Sequence, residues 1–293
     1  MNGTLQLLEE LLKSSGVTQS SLDDKAGIAE IMEFAKFVVK HPDYKHGEIK
    51  IAFTPDEEIG RGVAKFDVAK FGATYAYTLD GGEIGELEYE NFNAASAKIV
   101  ISGKNIHPGS AKGKMINSQL VAMEFVSLLP KKQRPETTEK YQGFFHVTDV
   151  CGSVERTEIQ LIIRDHDQKK FEKKQAVLRD IAKKINVKYG EVVQLELQHQ
   201  YFNMRQQILP HFQIVAIAKR AMEIAGIKPK IQPIRGGTDG ANLSFMGLPC
   251  PNIFAGGHNF HGRFEYIPLE SMEKAVEVMK NIITLFTNTT KKC

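Results

Sequence analysis

Residues 24–40 read DKAGIAEIMEFAKFVVK, residues 48–54 read EIKIAFT, and residues 73–79 read ATYAYTL. The first stretch repeats apolar residues at helical spacing, and the other two are short apolar runs that end in polar loops, as strands do. One helical face would carry Ile28, Ile31, Met32, Ala35, Val38 and Val39. Helix alternating with strand indicates an α/β layer.

The pattern changes from about residue 93. The order of predicted elements becomes β-α-β-β-α-β, which is the ferredoxin-like split unit. The strands are predicted at residues 96–103, 143–156, 158–164 and 192–199, and the helices at 115–129 and 168–187. Because this unit closes on itself, we expect residues 91–206 to form an inserted α+β domain.

The α/β rhythm returns after residue 202. Helices are predicted at residues 212–225, 238–246 and 269–287, and strands at 230–234 and 250–254. A length of 293 residues fits two domains better than one core. We therefore expect an α/β domain built from residues 1–90 and 207–293, interrupted by the α+β domain.

Composition narrows the class of protein. Hydrophobic residues make up 42% and charged residues 25%, which is typical of a globular protein, and the net charge of +3 is too small to favour nucleic acid or a membrane surface. Cys151, Cys250 and Cys293 lie far apart, which indicates a reducing compartment. Neither a signal peptide nor an apolar run of membrane-spanning length is recognisable, so the cytoplasm is expected.

Acidic and histidine side chains gather where the predicted strands end, which is where open α/β sheets bind ligands. They are Asp23 and Asp24 before the first helix, Glu57 and Glu58 after the first strand, Asp80 after the second, and His261 in a later loop. Carboxylates with an imidazole suit Zn²⁺, Mn²⁺ or Co²⁺. Of two adjacent glutamates, one can bind metal while the other transfers protons. Taken singly, these residues also fit a helix cap, solvated loop charges and a turn.

Seven segments resemble one family in order and spacing. They are DDKAGIAEI (23–31), FTPDEEIGRG (53–62), TLDGGEIGE (78–86), GKNIHPGSAKGKMINS (103–118), IIRDHD (162–167), RGGTDGANLSFMGLPCPN (235–252) and NFHGRFEYIPLE (259–270). They resemble the peptidase T family, tripeptide aminopeptidases among the two-zinc metallopeptidases that include aminoacylases and glutamate carboxypeptidases. The resemblance implies a zinc-peptidase catalytic α/β domain with an inserted ferredoxin-like lid domain.

The resemblance also implies a role for each metal-site residue. Asp23 is similar to the carboxylate that bridges the two zinc ions, and Glu57 to the catalytic general base. Glu58 and His261 are similar to the terminal ligands of one zinc ion, and Asp80 to a terminal ligand of the other. In this interpretation the enzyme releases the N-terminal residue of short peptides, tripeptides above all.

The remaining candidates are His107, Asn117 and Arg164 in the expected lid and Arg235 in the expected α/β domain. His107 resembles the residue that polarises the scissile carbonyl, although a turn histidine before proline would look the same. Asn117, Arg164 and Arg235 resemble groups that position the substrate, and a guanidinium suits the terminal carboxylate of a peptide. A homodimer is a further expectation, whereas nucleic-acid and membrane partners are not expected.

The chain departs from the family pattern before Asp23. The family has a zinc-binding histidine in an HxD motif upstream of that aspartate, and the 22 residues before Asp23 contain no histidine. We therefore expect an incomplete Asp80 site, about one tightly held zinc ion, impaired turnover, and an exposed strand edge beside apolar faces. Residues 4–12 are predicted to form a short amphipathic helix. Two alternatives stay open: an inactive truncated relative that binds metal or peptide without turnover, and a fragment or wrongly placed gene start.

Overall fold

A computed structural model describes residues 24–289, except for the side chains of Glu58 and Thr289. The chain forms two compact units. Unit 1 takes the residues up to Glu90, Met204–Ile234, and those from Thr238 onward; unit 2 takes Asn91–Asn203 and Arg235–Gly237. Asp23 and the helix predicted at residues 4–12 lie outside the described residues. The roles of the two units as catalytic and lid domains stay predictions.

The regular elements alternate between helix and strand along much of the chain. The helices are α1 (Lys25–Lys40), α2 (Val68–Phe71), α3 (Ser118–Ser127), α4 (Gln168–Tyr189), α5 (Arg205–Ile208), α6 (Gln213–Ile224), α7 (Asp239–Phe245) and α8 (Leu269–Thr289). The strands are β1 (Thr78–Gly81), β2 (Glu86–Glu88), β3 (Asn93–Ser102), β4 (Phe144–Gly152), β5 (Arg156–Asp165), β6 (Val193–Tyr201), β7 (Lys230–Ile231) and β8 (Asn252–Phe254). None of the helices in residues 24–289 is long and apolar enough to cross a membrane.

Unit 1 is built on a four-stranded mixed sheet in the order β1-β8-β2-β7. Strand β8 pairs in parallel with β1 and antiparallel with β2, and β7 pairs in parallel with β2. The Asp24 carboxylate caps α1 by accepting a hydrogen bond from the Gly27 amide at 2.8 Å. Helix α1 packs on α8, which packs on α6, and the shared core includes Phe34, Leu87 and Phe254. The same core includes Leu79 from β1 and Ile253 from β8.

Unit 2 has the predicted ferredoxin-like order of elements. Its antiparallel sheet runs β4-β5-β3-β6, and helices α3 and α4 pack against the sheet. Alternate residues of β5 are buried, and Phe125 from α3 and Phe171 from α4 lie with them in one core. The α/β fold class with an inserted α+β unit is thus confirmed.

Two predicted strands of unit 1 are wrong in extent. Residues 48–54 form no regular strand, and the strand predicted at 73–79 is reduced to β1, which begins at Thr78. A strand exists only where a neighbour takes up its backbone groups, and within residues 24–289 no strand pairs with residues 48–54. The side chains of Ile51 and Phe53 are accordingly 40% and 48% exposed.

These two extended stretches line a groove in unit 1 with a volume of about 1200 Å³. Its walls are largely apolar and include Phe34 from α1, Tyr77 and Leu79 before and in β1, and Ile282 from α8. Carboxylates also face the groove, and they belong to the residues that the sequence singles out for chemistry.

Candidate active site

Asp80 lies in β1, and a hydrogen bond fixes its backbone. Its amide donates to Oδ1 of Asn252 at 3.1 Å, and Asn252 is 1% exposed in β8. Asp80 stands one residue before the end of β1 and lines the groove, and its role as a metal ligand stays a prediction.

Glu57 begins a short 3-10 turn, Glu57–Ile59, that follows the extended stretch at residues 48–54. Asp56, just before the turn, has a left-handed φ of 63°, and Gly60 after it has a φ of 70°. Aspartate is one of the few non-glycine residues that tolerate this conformation. The turn reverses the chain at the groove, and Glu57 faces the groove as Asp80 does.

His261 is carried by a loop between β8 and α8. The loop is closed by the pair His258 and Tyr266, whose backbones exchange hydrogen bonds of 2.9 and 3.2 Å and whose rings stack at 4.9 Å. His261 is exposed and has a left-handed φ of 59°. It is not among the residues that line the groove.

The donor chemistry of these residues fits a divalent transition metal, since it combines carboxylates with an imidazole. Asp24, Glu57, Asp80 and Asp239 all line the groove. Within residues 24–289, however, the structure brings no group of three or more His, Cys, Asp or Glu side chains close enough to hold a metal ion. That statement does not cover two of the four predicted ligands, because Asp23 and the side chain of Glu58 lie outside the part of the chain that the structure describes. The described residues thus provide part of the predicted set.

Asp239, at the start of α7, is a carboxylate that the sequence did not single out. It is 4% exposed, and its Oδ2 has no hydrogen-bond partner among the described residues. Burial raises the pKa of Asp239, and a hydrogen bond from Thr54 opposes that shift. Asp239 also fills the space that a β-carbon on Gly62 would need, so the close approach of the residue 60–62 turn requires glycine.

His107 in unit 2 starts the 3-10 turn Pro108–Ser110. Its Nδ1 accepts a hydrogen bond from the Gly109 amide at 3.2 Å, and the side chain is exposed. In the neutral ring the proton then resides on Nε2, because one nitrogen is the donor when the other accepts. That tautomer presents an N–H to solvent, as a group that polarises a carbonyl must.

Asn117 and Arg164 have structural partners within unit 2. Oδ1 of Asn117 caps α3 by accepting from the Gln119 amide at 3.0 Å. Arg164 donates from Nη1 to the carbonyls of Ile163 at 2.9 Å and Ala95 at 3.3 Å. Its guanidinium lies 5.4 Å from the centre of the Tyr201 ring, and burial lowers the pKa of Arg164.

Arg235 is more fully engaged than the other candidates. Nη1 donates to the carbonyls of Lys140 at 2.6 Å and Gln142 at 3.0 Å, and Nη2 donates to Oγ1 of Thr138 at 3.1 Å. The guanidinium also lies 5.1 Å from the ring of Phe92. Both terminal nitrogens thus hold the residue 138–142 loop, a role that sequence patterns did not indicate.

Sequence reasoning also missed the polar residues behind Asp80. Asn252 and Glu88 are buried at 1% and 7% exposure, and they share a hydrogen bond of 2.9 Å. Burial, with the charge of Glu86 as a second cause, raises the pKa of Glu88 to about 8. The single available signal was the position of Asn252 within the segment 235–252, which belongs to the resemblance.

Comparison with known proteins decides the family. A family model described as "Peptidase dimerisation domain" matches residues 89–191. Peptidase T of Clostridium perfringens (strain 13 / Type A) is 59% identical over 279 residues, which are 95% of this chain and 69% of that protein. The chain belongs to the peptidase T family. The resemblance noted in the sequence is thereby confirmed, and with it the enzyme class, a tripeptide aminopeptidase.

Solved structures agree with this membership. The aminopeptidase PepT from Bacillus cereus ATCC 10987 superposes with a TM-score of 0.79 at 25% identity, covering 89% of this chain and 70% of its own. A Bacillus subtilis protein described as a dinuclear metal binding peptidase from the M20 family has a TM-score of 0.66 at 16% identity, covering 90% of this chain and 72% of its own. At that identity, the second structure supports the peptidase T fold and nothing finer.

Proposed function

We propose that this chain is a metal-dependent aminopeptidase that releases the N-terminal residue from tripeptides. The observation that carries the proposal is the position of Glu57 and Asp80 on one groove of a chain that is 59% identical to a peptidase T. Both carboxylates stand where extended segments end, which is where α/β sheets present reactive groups.

Asp23, Glu58, Asp80 and His261 are the residues that would hold the metal. Zinc fits this mixture of carboxylate and imidazole ligands, and the fold is shared with a protein described as a dinuclear metal binding peptidase. When bound, the metal supplies a Lewis acid that activates water and polarises the scissile carbonyl. We expect about one tightly held zinc ion in this chain of 293 residues, because the proposed Asp80 site has only carboxylate ligands.

Glu57 is the proposed general base. It would take a proton from the attacking water and deliver it to the amine that leaves, as a carboxylate beside the reacting atoms can. The left-handed Asp56 and Gly60 fix the turn that carries Glu57. His107 would donate from Nε2 to the carbonyl oxygen of the substrate, and this role is supported by the acceptor function of its Nδ1.

Asn117, Arg164 and Arg235 are the proposed contacts to the substrate. Asn117 uses its Oδ1 and Arg235 uses both terminal nitrogens in the observed hydrogen bonds. The amide nitrogen of Asn117 and Nε of Arg235 are therefore the groups that would contact the substrate. A homodimer formed through the segment that matches the peptidase dimerisation domain, residues 89–191, stays a prediction.

Elemental analysis after dialysis, combined with a tripeptide assay, tests the proposal. Glu57→Gln should keep the metal content and reduce turnover by roughly 100- to 10,000-fold, the usual contribution of a general base. His261→Ala should lower the metal content itself. Glu136→Gln, an exposed change in unit 2, serves as the control and should alter neither quantity.

Three outcomes separate the interpretations. Turnover that survives in Glu57→Gln would refute the role of Glu57. Metal or peptide binding without turnover in the unmutated chain would favour the alternative function, a relative that binds but does not cleave. Two zinc ions with full turnover would indicate a further ligand and contradict the expected stoichiometry.

A further inference from the structure

The side-chain amide of Asn252 connects three strands of unit 1. Its Oδ1 accepts hydrogen bonds from the Asp80 amide at 3.1 Å and from Oγ1 of Thr78 at 2.9 Å, both on β1. Its Nδ2 donates to Oε2 of Glu88, on β2, at 2.9 Å. Asn252 therefore uses both ends of its amide, and it does so inside the protein, where such bonds are hardest to replace.

The sheet register places these residues in one row. Strand β8 lies between β1 and β2, and Asn252 is the register partner of Thr78 on one side and of Glu88 on the other. Thr78, at one end of this row, precedes Asp80 by two residues on β1, and Asp80 lines the groove. A displacement of Asn252 would thus shift the backbone that carries the Asp80 carboxylate, because the Asp80 amide is bonded to Asn252.

Glu88 determines which way the amide of Asn252 points. If the amide were reversed, Nδ2 would meet the Asp80 amide, donor against donor, and Oδ1 would meet the carboxyl oxygen of Glu88. Glu88 accepts from Nδ2 in the observed orientation, so Oδ1 is left to face β1. The acceptor on Glu88 therefore selects the orientation that holds Asp80.

We propose that Asn252 is a positioning residue for Asp80 and that Glu88 acts through Asn252 by fixing its orientation. The inference rests on the proposed function, in which Asp80 is a metal ligand. Partners that orient metal ligands typically change metal affinity by 10- to 100-fold when they are removed. Asn252→Ala should therefore weaken zinc binding by roughly that factor.

The zinc affinity of the Asp80 site, taken from the weaker step of a zinc titration against a chelator, tests this inference in the full chain. Asn252→Ala and Asn252→Ser should both bind zinc more weakly, because a serine hydroxyl is too short to bridge β1 and β2. Glu88→Gln should keep the affinity, since its amide oxygen still accepts from Nδ2, whereas Glu88→Ala should lose it. The serine variant keeps the test available if the alanine variant does not fold.

Leu87→Ala is the matched control. Leu87 lies beside Glu88 on β2, is fully buried in the hydrophobic core and pairs in register with Ile253 instead of Asn252. The change should lower the melting temperature at least as much as Asn252→Ser does, while leaving zinc affinity unchanged. If affinity falls with melting temperature in all variants alike, Asn252 is an ordinary core residue and the inference is wrong.

Two further measurements separate this inference from the proposed function. Asp80→Ala should abolish the weaker zinc-binding step; if it does not, Asp80 is not a ligand and both ideas fail. If Asp80→Ala abolishes that step but Asn252→Ser does not weaken it, only the positioning role fails. In metal-free protein, amide hydrogen exchange at Asp80 should accelerate in Asn252→Ser and stay slow in Leu87→Ala, and equal exchange in both variants would contradict the inference.

Discussion

Glu88→Gln should change how the stability of the protein depends on pH. Glu88 is 7% exposed, and burial, with the charge of Glu86 as a second cause, raises its pKa from the ordinary 4.5 to about 8. A carboxyl whose pKa is raised by folding binds its proton more tightly in the folded state. Its contribution to the free energy of unfolding therefore declines as pH rises from about 4.5 to about 8.

The size of this effect follows from the two pKa values. At about 1.4 kcal/mol for each unit of pKa, ionisation of Glu88 in the folded state costs on the order of 4 kcal/mol at the upper end of the window. Glutamine keeps the acceptor for Asn252 and never ionises, so the variant should escape this loss. The free energy of unfolding of Glu88→Gln should thus exceed that of the unmutated protein increasingly towards pH 8.

Urea unfolding at pH 5 and pH 8, followed by circular dichroism, measures the difference. The exposed Glu136→Gln in unit 2 is the control, and its unfolding free energy should follow that of the unmutated protein at both pH values. If Glu88→Gln and the unmutated protein lose stability in parallel between the two pH values, Glu88 is ionised at low cost. Burial would then not raise the pKa of Glu88 as far as this reasoning requires.

The structure also predicts the effects of two other substitutions. Arg235→Lys should lower the free energy of unfolding of unit 2 by about 1–3 kcal/mol in urea unfolding, because a lysine cannot reach the acceptors on Thr138, Lys140 and Gln142 at once; an unchanged midpoint would contradict this. Phe53→Thr should reduce the binding of a hydrophobic dye at little cost in melting temperature, since Phe53 is 48% exposed at the groove. Undiminished dye binding would show that the groove does not present Phe53.

The sequence predicted unit 2 well because its signals are local. Strand β5 alternates buried and exposed residues along its length, and this period of two is visible in the sequence. Residues 48–54 carry an equally good local pattern, but pairing depends on a neighbour that the pattern does not contain. The prediction of a strand at residues 48–54 was wrong for that reason. Strand β2 was missed because it contains the charged residue Glu88, which a sequence pattern places at the surface and the fold buries.

The candidate site, too, could be predicted from the sequence only in part. The position of Asp80 beside the groove could be predicted, because a strand that ends in Asp-Gly-Gly has a local signature. Its supporting network could not, because Glu88 and Asn252 are 164 residues apart and meet only when β2 pairs with β8. Arg235 shows the same limit, since its carbonyl partners lie more than 90 residues earlier.

Backbone strain lies close to the candidate residues of unit 1. Among residues 24–289, the non-glycine residues with left-handed φ are Asp56, Lys140, Asn259 and His261. This conformation costs most residues about 1–2 kcal/mol relative to the right-handed one, and it costs Asp and Asn less because their side chains can hydrogen-bond locally. Asp56 directly precedes Glu57, and Asn259 lies in the same loop as His261, so the cost falls on the two turns that carry the proposed base and imidazole. Regular helices or strands at these positions would remove the strain, but they would also turn Glu57 and His261 to new directions. The packed core of the unit can hold these turns in place, so the fold sustains this strain where the proposed base and imidazole are carried.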